Sequence, residues 1–247
     1  AQGEVRNSWK WPEQWYQTNC ISVIRLAEHL KNKDYFKRYV AVSTPEVYGA
    51  TTKNIKENHN YYPSTPYAAS KLAGELHLLA LYKHYNFPVI FTRSVNLYGI
   101  HQQLYRIIPR TIIYLKLRKT IDLHGQGKAM REFIHARDVA DLTLRAILNG
   151  KIGDIYHFSP NDGLRSIADV VRLVCDLMNC KFDESVNLMN ENFGQDSVYS
   201  LDASKAKSEF RWEQQVSFKD GIRETIKWID ANWEFIKNQP LEYIHKN

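Results

Sequence analysis

Two short apolar runs constrain the fold more than any other feature of this sequence. Residues 38–43 and 88–93 are rich in β-branched and aromatic side chains, and each run is too short to be a typical helix. Runs of this kind are typical of strands that are buried on both faces of a parallel sheet. A segment with helical periodicity precedes each run, so helix and strand alternate along this part of the chain. The sequence therefore predicts an α/β fold with a doubly wound parallel sheet.

The pattern of predicted elements changes near Gly99. Residues 1–99 are expected to form the main sheet domain, and residues 100–247 a smaller mixed α/β part with some elements returning to the sheet. Helices are predicted over 12–31, 67–85, 107–116, 138–149, 167–178, 203–210 and 218–236, and further short strands over 120–124, 131–135, 154–159, 185–188 and 197–201.

Tyr67 and Lys71 are the first candidate functional residues. Pro66 suits the first turn of a helix, and Ser64 or Thr65 can cap that helix. Residues four apart share one helix face, so the lysine ammonium would lie near the phenol. A nearby positive charge favours the ionised phenol, whose ordinary pKa of about 10 is too high for a general base at neutral pH. The same spacing also occurs on solvated helix faces, so its interpretation depends on the neighbouring motifs.

Polar residues follow both predicted strands of the main sheet. Thr44 and Glu46 come after the first strand, and Asn96 comes after the second. Each has an ordinary interpretation, as a strand-end cap, a solvated loop charge and a turn residue respectively. In open α/β sheets, however, ligands bind outside the carboxyl ends of the strands. Together with Tyr67 and Lys71, these residues predict a functional site at that edge.

Five motifs, in this order and spacing, resemble the extended short-chain dehydrogenases that act on nucleotide sugars, most closely the dTDP-glucose 4,6-dehydratase type. The motifs are Ser43–Gly49, Pro63–Lys71, Thr92–Gly99, Ile108-Pro109 and Gly125–Phe133. The resemblance implies a Rossmann-like fold and an NAD-dependent lyase. Its substrate would be a nucleotide-diphosphate sugar, in sugar-nucleotide or surface-polysaccharide biosynthesis. It also implies a homodimer, formed through the predicted helices 12–31 and 67–85 packing as a four-helix bundle. The apolar stripes of these helices permit that packing but could equally face the sheet.

The resemblance further implies a role for each site residue. Thr44 would hydrogen-bond the sugar C4 oxygen, and Tyr67 would take the C4 hydroxyl proton while hydride passes to NAD. Lys71 would lower the pKa of Tyr67 and hold the nicotinamide ribose. Glu46 would remove the C5 proton, water would leave from C6, and hydride would return to C6 to give a 4-keto-6-deoxy sugar. The other implied residues are Asn96, Arg106, His124 and Arg131 for the substrate, and Ala1, beside Tyr67 and Lys71, for the cofactor.

Arg131 is assigned to the substrate diphosphate, because a guanidinium fork suits that group. A surface ion pair is the alternative for Arg131. Two departures from the family pattern bear on the substrate. Pro45 stands where the dTDP-glucose enzymes have an Asp that protonates the departing C6 oxygen. GDP-mannose 4,6-dehydratases also lack that Asp and keep the Glu, which leaves Glu46 or a water as the acid. The family's Arg-Pro-Gly phosphate segment is replaced by 192–194, and Ser197 and Val198 replace basic residues, so the nucleotide stays open.

The family's glycine-rich GxxGxxG turn, which cradles the NAD pyrophosphate, does not occur in this sequence. Residues 1–5 resemble the end of the family's fourth strand. This predicts an N-terminal truncation of about 60–80 residues, or two or more βα units of roughly 30 residues each. Two alternatives stay open. One is a related epimerase or UDP-glucuronate decarboxylase, although Tyr67 directly after Pro66 disfavours the decarboxylase. The other is a non-catalytic fragment that lacks the NAD site.

Charge and composition narrow the expected ligands and location. The net charge is +6, with lysines and arginines spread along the chain, which favours an anionic ligand such as a nucleotide diphosphate over nucleic acid. The three cysteines and nine histidines show no metal-ligand spacing, so no metal is expected, and an odd cysteine count suits a reducing compartment. No apolar run approaches the ~20 residues of a membrane span and no signal peptide is visible. We therefore expect a cytoplasmic protein that does not bind membranes.

Overall fold

A computed structural model of the protein describes residues 1–50, 54–190 and 200–245. The described residues form two compact units. Those within Ala1–Val95, Val139–Ser159 and Tyr199–Glu213 belong to the first unit, and those within Asn96–Asp138, Pro160–Val198 and Gln214–Asn247 belong to the second. Both units combine helices with strands, and most of the strand pairs are parallel. The predicted α/β class is therefore confirmed.

The strands are β1 (Tyr39–Val42), β2 (Val89–Ser94), β3 (Asn96–Tyr98), β4 (Ile121–Leu123), β5 (Met130–Arg131), β6 (Phe133–His135), β7 (Ile155–Phe158), β8 (Arg165–Ser166) and β9 (Val186–Leu188). The α-helices are α1 (Val5–Ser8), α2 (Pro12–Tyr16), α3 (Ser22–Leu30), α4 (Pro66–Tyr85), α5 (Ile107–Lys116), α6 (Ala136–Asn149), α7 (Ile167–Leu177), α8 (Phe182–Ser185), α9 (Ser204–Glu209), α10 (Phe218–Ala231) and α11 (Trp233–Ile236). Within the described ranges, none of these helices is long and apolar enough to cross a membrane.

The first unit is built on a parallel three-stranded sheet in the order β1-β2-β7. Helices α3 and α4 contribute apolar side chains to its core: Ala27 of α3 and Leu78 and Leu81 of α4 pack in one cluster with Val89 and Phe91 of β2. The apolar stripe of the predicted helix 12–31 thus faces the sheet over α3. The buried central strand explains why its sequence is a continuous apolar run.

Helix α4 begins where its sequence predicts. Pro66 occupies the first turn, where the absence of an N–H group costs no hydrogen bond. Thr65, one of the two predicted caps, accepts a hydrogen bond from the Ala68 N–H at 3.1 Å. The helix ends at Tyr85, followed by Asn86 in a left-handed conformation with φ of 54°.

The predicted helix over 12–31 is present, but its middle is a π-helical turn, Gln17–Ile21, between α2 and α3. Asn19 in this turn is buried, and its Nδ2 donates a hydrogen bond to Ser70 Oγ of α4 at 3.0 Å. Gly74, one turn further along α4, has no side chain at this contact; a Cβ there would lie 2.6 Å from the Asn19 carbonyl oxygen. The absence of a side chain at Gly74 therefore allows the backbone of the π turn to approach α4 closely.

Among the described residues, the second unit contains three small sheets. Strand β3 pairs in parallel with β6, β4 pairs in parallel with β9, and β5 pairs antiparallel with β8. Its core is formed mainly by side chains of α5, α7 and α10, including Ile112, Val170, Val174 and Ile222. Amphipathic periodicity locates these three helices, because each buries one apolar face.

Two predicted elements differ from the structure, and a third lies mostly outside the described residues. The predicted strand 131–135 is divided at Glu132, because β5 and β6 pair with different partners in opposite directions. The predicted helix 218–236 is interrupted at Asn232, whose φ of −112° and ψ of 19° are not helical. The predicted strand 197–201 falls mostly outside the described residues, and Leu201 forms an isolated parallel bridge with Ile55.

Replacing Gly74 with alanine tests the close contact between α4 and the π turn. We expect Gly74→Ala to lower the free energy of unfolding by about 1–3 kcal/mol, because the new methyl group would overlap the Asn19 carbonyl. Helix propensity alone predicts the opposite sign, a gain of about 1 kcal/mol. Urea denaturation measures the difference. Lys83→Ala, at an exposed position of the same helix, is the control and should change stability by less than about 0.5 kcal/mol.

Candidate active site

The segment directly after β1 carries two of the predicted catalytic residues. Pro45–Tyr48 forms a 3-10 helix, and the buried Thr44 caps it by accepting a hydrogen bond from the Glu46 N–H at 3.3 Å. The segment ends at Gly49, whose φ of +75° suits glycine and whose N–H donates to the Glu46 carbonyl at 3.1 Å. Thr44 is therefore a strand-end cap. A hydroxyl that accepts one hydrogen bond still has its own hydrogen to donate, so the cap leaves a catalytic role open.

Lys71 connects α4 to the end of β1. Its Nζ donates a hydrogen bond to the carbonyl of Val42, the last residue of β1, at 2.7 Å. Burial lowers the pKa of Lys71, and the nearby Glu75 carboxylate opposes that fall. Tyr67 is half-buried in the first turn of α4, one turn before Lys71. The structure therefore brings the Lys71 ammonium to the strand end from which Thr44 follows, as the sequence predicts.

A buried polar cluster in the first unit escaped the sequence analysis. Arg93, in the middle of the sheet, has no exposed surface. Its guanidinium donates hydrogen bonds to Glu75 Oε2 of α4 at 2.5 Å, to the Tyr48 hydroxyl at 2.5 Å and to the Tyr61 hydroxyl at 3.2 Å. The Tyr48 hydroxyl also lies 2.8 Å from Nε2 of His157 in β7. One guanidinium thus links the 3-10 segment, α4 and the stretch before α4.

Burial and the nearby charge of Arg93 determine the protonation states of Tyr48 and His157. Burial raises the pKa of Tyr48 to about 12, so its phenol keeps its hydrogen at neutral pH. Burial, reinforced by Arg93, lowers the pKa of His157 to about 3, so its ring is neutral. Tyr48 therefore accepts from Arg93 and donates to Nε2 of His157. The His157 Nδ1–H then donates to the Ile55 carbonyl at 3.1 Å, which assigns the tautomer from its partners.

The sequence alone indicates that Glu75 and Arg93 have special environments. Glu75 lies four residues after Lys71 and eight after Tyr67, so all three share one face of α4. Arg93 is a charge in a strand predicted to be buried, and a buried charge requires a partner. Burial raises the pKa of the Glu75 carboxyl, and the Arg93 guanidinium opposes that rise. The part that His157 plays in the cluster depends on its contact with Tyr48, which is 109 residues away in the sequence. No neighbouring sequence feature predicts that contact.

Four residues predicted to bind the substrate lie in the second unit, and their binding roles stay predictions. Asn96 is exposed at the start of β3, and its Nδ2 donates to the Glu132 carbonyl at 3.2 Å. Arg106 is exposed directly before α5, and its guanidinium carbon lies 5.3 Å from the centre of the Tyr105 ring. Asn96 therefore has the local backbone contact of a turn residue while its side chain stays accessible.

The remaining predicted site residues occupy different environments. His124 is exposed at the start of a short 3-10 helix, His124–Gly127. Arg131 is buried, and one N–H of its guanidinium donates to the carbonyl of Met130 at 2.7 Å. Ala1 is exposed and precedes α1, and its cofactor role stays a prediction. The substitutions at 192–194, Ser197 and Val198 lie outside the described residues.

The low pKa of His157 predicts a specific loss of stability in acid. Between about pH 6.5, the usual histidine value, and about pH 3, the unfolded chain takes up a proton that the native ring does not. The free energy of unfolding should therefore fall as pH falls through this window, by at most about 1.4 kcal/mol per pH unit from this residue, while the contribution is fully present above it. Urea denaturation at several pH values should show a shallower slope for His157→Gln. His84→Gln, at an exposed position, is the control, and an equal slope for both variants would contradict the assignment.

Comparisons with known proteins confirm the family resemblance found in the sequence motifs. A sequence profile described as GDP-mannose 4,6 dehydratase matches residues 1–225. The dTDP-glucose 4,6-dehydratase of Haemophilus influenzae is 29% identical, over 94% of this chain and 75% of that protein. The dTDP-D-glucose 4,6-dehydratase of Homo sapiens is 33% identical, over 82% of this chain and 59% of that protein. The solved structure of the dTDP-glucose 4,6-dehydratase from Streptomyces venezuelae, with NAD bound, superposes with a TM-score of 0.88 at 30% identity, over 95% of this chain and 72% of that one. This chain belongs to the GDP-mannose 4,6-dehydratase family.

Proposed function

We propose that the protein is an NAD-dependent nucleotide-sugar 4,6-dehydratase, which oxidises the sugar at C4, eliminates water across C5–C6 and reduces C6. The dehydratases among its relatives support this function. The observation in this chain that carries the proposal is the hydrogen bond from Lys71 to Val42. It places the lysine of α4 at the strand end that leads into the 3-10 segment of Thr44 and Glu46.

The residues present fit the ribose side of NAD. The Lys71 ammonium has three N–H donors, and the bond to Val42 uses one of them, so two remain for ribose hydroxyls. Tyr67 lies one helical turn before Lys71, on the same face of α4. NAD, when bound, supplies the hydride acceptor for C4 and the hydride donor for C6. The Streptomyces venezuelae relative was solved with NAD bound.

Thr44 and Tyr67 act at C4 of the sugar in this proposal. The Thr44 hydroxyl accepts from the backbone of its own segment and still has its own hydrogen, which the proposal assigns to the C4 oxygen. Tyr67 takes the proton of the C4 hydroxyl as general base. The resulting carbonyl acidifies the proton on C5.

Glu46 acts at C5 and C6. Its carboxylate removes the C5 proton, the C5–C6 double bond forms, and the C6–O bond breaks. Pro45 has no proton to give to the departing oxygen. Glu46, which has just gained a proton from C5, is the acid in the same segment that can return one to that oxygen, so that water leaves. Glu46 is then ionised again. When hydride adds to C6, C5 takes up a proton from solvent, which balances the C4 hydroxyl proton that Tyr67 took and then releases.

The proposal also covers the substrate contacts, the oligomeric state and the location of the protein. Asn96, Arg106, His124 and Arg131 are proposed to contact the nucleotide-diphosphate sugar, with Arg131 at the diphosphate. A homodimer through α2–α4 is supported by exposed apolar side chains on these helices, among them Tyr16, Leu26, Leu76 and Tyr85. The three cysteines are free thiols, which agrees with the proposed cytoplasmic location.

The function is tested by incubating the protein with NAD and a panel of nucleotide-diphosphate hexoses. The native protein should release a 4-keto-6-deoxy product from at least one of them. Tyr67→Phe should lose oxidation at C4. Glu46→Gln should keep that oxidation, seen as cofactor absorbance, and lower product formation by about 10²–10⁴-fold. Glu234→Gln, at an exposed position of α11, is the control and should keep native rates.

Other outcomes of the same assay identify the alternatives. A product inverted at C4 with C6 unchanged would favour the epimerase, and carbon dioxide released from UDP-glucuronate would favour the decarboxylase. No product from any nucleotide sugar would contradict the proposed function.

The dimer is tested by sedimentation equilibrium. Because Leu26 and Leu76 expose apolar surface on α3 and α4, replacing both with glutamate should shift a dimer to monomer. Leu148→Glu, also an exposed leucine of the first unit but on α6, is the control and should leave the native mass unchanged. A native protein that sediments as a monomer at high concentration would contradict the proposed dimer.

A further inference from the structure

We infer that Arg93 is a positioning residue, whose buried guanidinium holds the catalytic loop (Thr44–Gly49) against the catalytic helix (α4). This inference rests on the proposed function and adds to it a residue that contacts neither substrate nor cofactor. Arg93 has no exposed surface, so it acts through other residues. Its two principal hydrogen-bond partners lie on the two segments that carry the proposed catalytic groups.

On the loop side, Arg93 holds Tyr48. The guanidinium donates to the Tyr48 hydroxyl at 2.5 Å, and its carbon lies 4.7 Å from the centre of the same ring. Tyr48 is the last residue of the short 3-10 helix, two residues after Glu46. The Thr44 cap and the bond from the Gly49 N–H to the Glu46 carbonyl hold the two ends of this short helix together. Fixing Tyr48 therefore fixes the direction of the whole segment.

On the helix side, Arg93 holds Glu75. The guanidinium donates to Glu75 Oε2 at 2.5 Å, in an ion pair whose two side chains are almost fully buried. Glu75 lies one helical turn after Lys71, and its carboxylate also favours the charged form of that lysine. The position of Glu75 thus determines how α4 is rotated about its axis. It also determines how strongly the carboxylate stabilises the charged form of Lys71.

Stability alone does not account for this arrangement. A buried ion pair is commonly replaced by apolar side chains of similar volume without loss of stability. A guanidinium is different in geometry, because its five N–H donors lie in one plane in fixed directions. Arg93 uses the donors on Nη1 and Nη2 for partners in three separate segments, with Tyr61 as the third. The arrangement therefore specifies relative position, which is what two cooperating catalytic segments require.

The first test compares Tyr48→Phe with Tyr156→Phe. Both tyrosines are buried in the first unit and lose one hydroxyl, but Tyr156 bonds to Glu209 and has no part in the loop or in α4. With a nucleotide sugar that the native protein turns over, Tyr48→Phe should lower kcat about 10- to 100-fold with KM changed less than about threefold. Tyr156→Phe should stay within about twofold. Equal kcat values for the two variants would overturn the inference.

A double-mutant cycle separates positioning from general destabilisation. If Tyr48 acts by orienting the Thr44 hydroxyl, Tyr48→Phe should cost much less in a Thr44→Val background than in the native protein. Tyr156→Phe should have the same small effect in both backgrounds. Losses from Tyr48→Phe and Thr44→Val that multiply in full would show that Tyr48 does not act through Thr44. The same cycle in a Glu46→Gln background tests action through Glu46, and full multiplication in both backgrounds would overturn the inference.

Amide hydrogen exchange tests the inference without any turnover. Tyr48→Phe should speed exchange at least about tenfold at Gly49 and Tyr62, whose N–H groups bond to the loop carbonyls, while Phe91 in β2 keeps its native protection. Uniform acceleration at all three would indicate destabilisation and overturn the inference. If the native protein turned over no nucleotide sugar, the proposed function would fail while this measurement still decided the role of Tyr48.

A second variant covers the case in which Tyr48→Phe does not fold. Glu75→Leu combined with Arg93→Met replaces the buried ion pair with apolar side chains of similar volume and should unfold cooperatively. It should show the same fall in kcat with KM retained. A folded double variant with native kcat would overturn the inference.

Discussion

The buried charge of Arg93 is the constraint on which the first unit depends. Removing a guanidinium from water costs several kcal/mol unless its N–H groups find acceptors, so a strand that carries arginine at a buried position needs neighbours that supply them. Glu75 supplies a carboxylate, and Tyr48 and Tyr61 supply hydroxyls. The three acceptors belong to three separate segments. An apolar residue at position 93 would make no directional contact with these segments, so they could shift relative to the sheet. The requirement to satisfy one charge thereby becomes a requirement on the placement of three segments.

Helix α4 is held from two sides, and this explains how Lys71 reaches the strand end. The π turn approaches α4 where Gly74 has no side chain, and Asn19 bonds to Ser70 there. The Arg93 ion pair holds Glu75, the residue that follows Gly74. With neighbouring positions of one turn fixed by a backbone contact and by an ion pair, the rotation of the helix about its axis is determined. Lys71 then points to the end of β1, where its ammonium meets a carbonyl.

Local signals in the sequence located most of the elements, and non-local contacts account for the differences. Proline and threonine at 65–66 placed the start of α4, and apolar periodicity placed α5 over 107–116. The π turn within 12–31 depends on contact with α4, which no window of sequence contains. The cluster around Arg93 is less local still, since His157 lies 109 residues from Tyr48. Motifs therefore pointed to the groups proposed to do chemistry, and gave no signal for the buried contacts around Arg93.

Pro45 shows how the same short segment combines structure and chemistry. Proline at the first position of the 3-10 helix has its φ fixed near the helical value, and its missing N–H costs nothing there. The segment thus gains rigidity at the position where the dTDP-glucose type offers a proton. A rigid segment with one carboxylate can still eliminate water if that carboxylate takes the C5 proton and returns it to the C6 oxygen, because both atoms are neighbours on the sugar. In the proposed mechanism a fixed segment matters more, since Glu46 would serve two adjacent atoms from one position. The buried hydrogen bond between Arg93 and Tyr48 provides that rigidity from the opposite end of the segment.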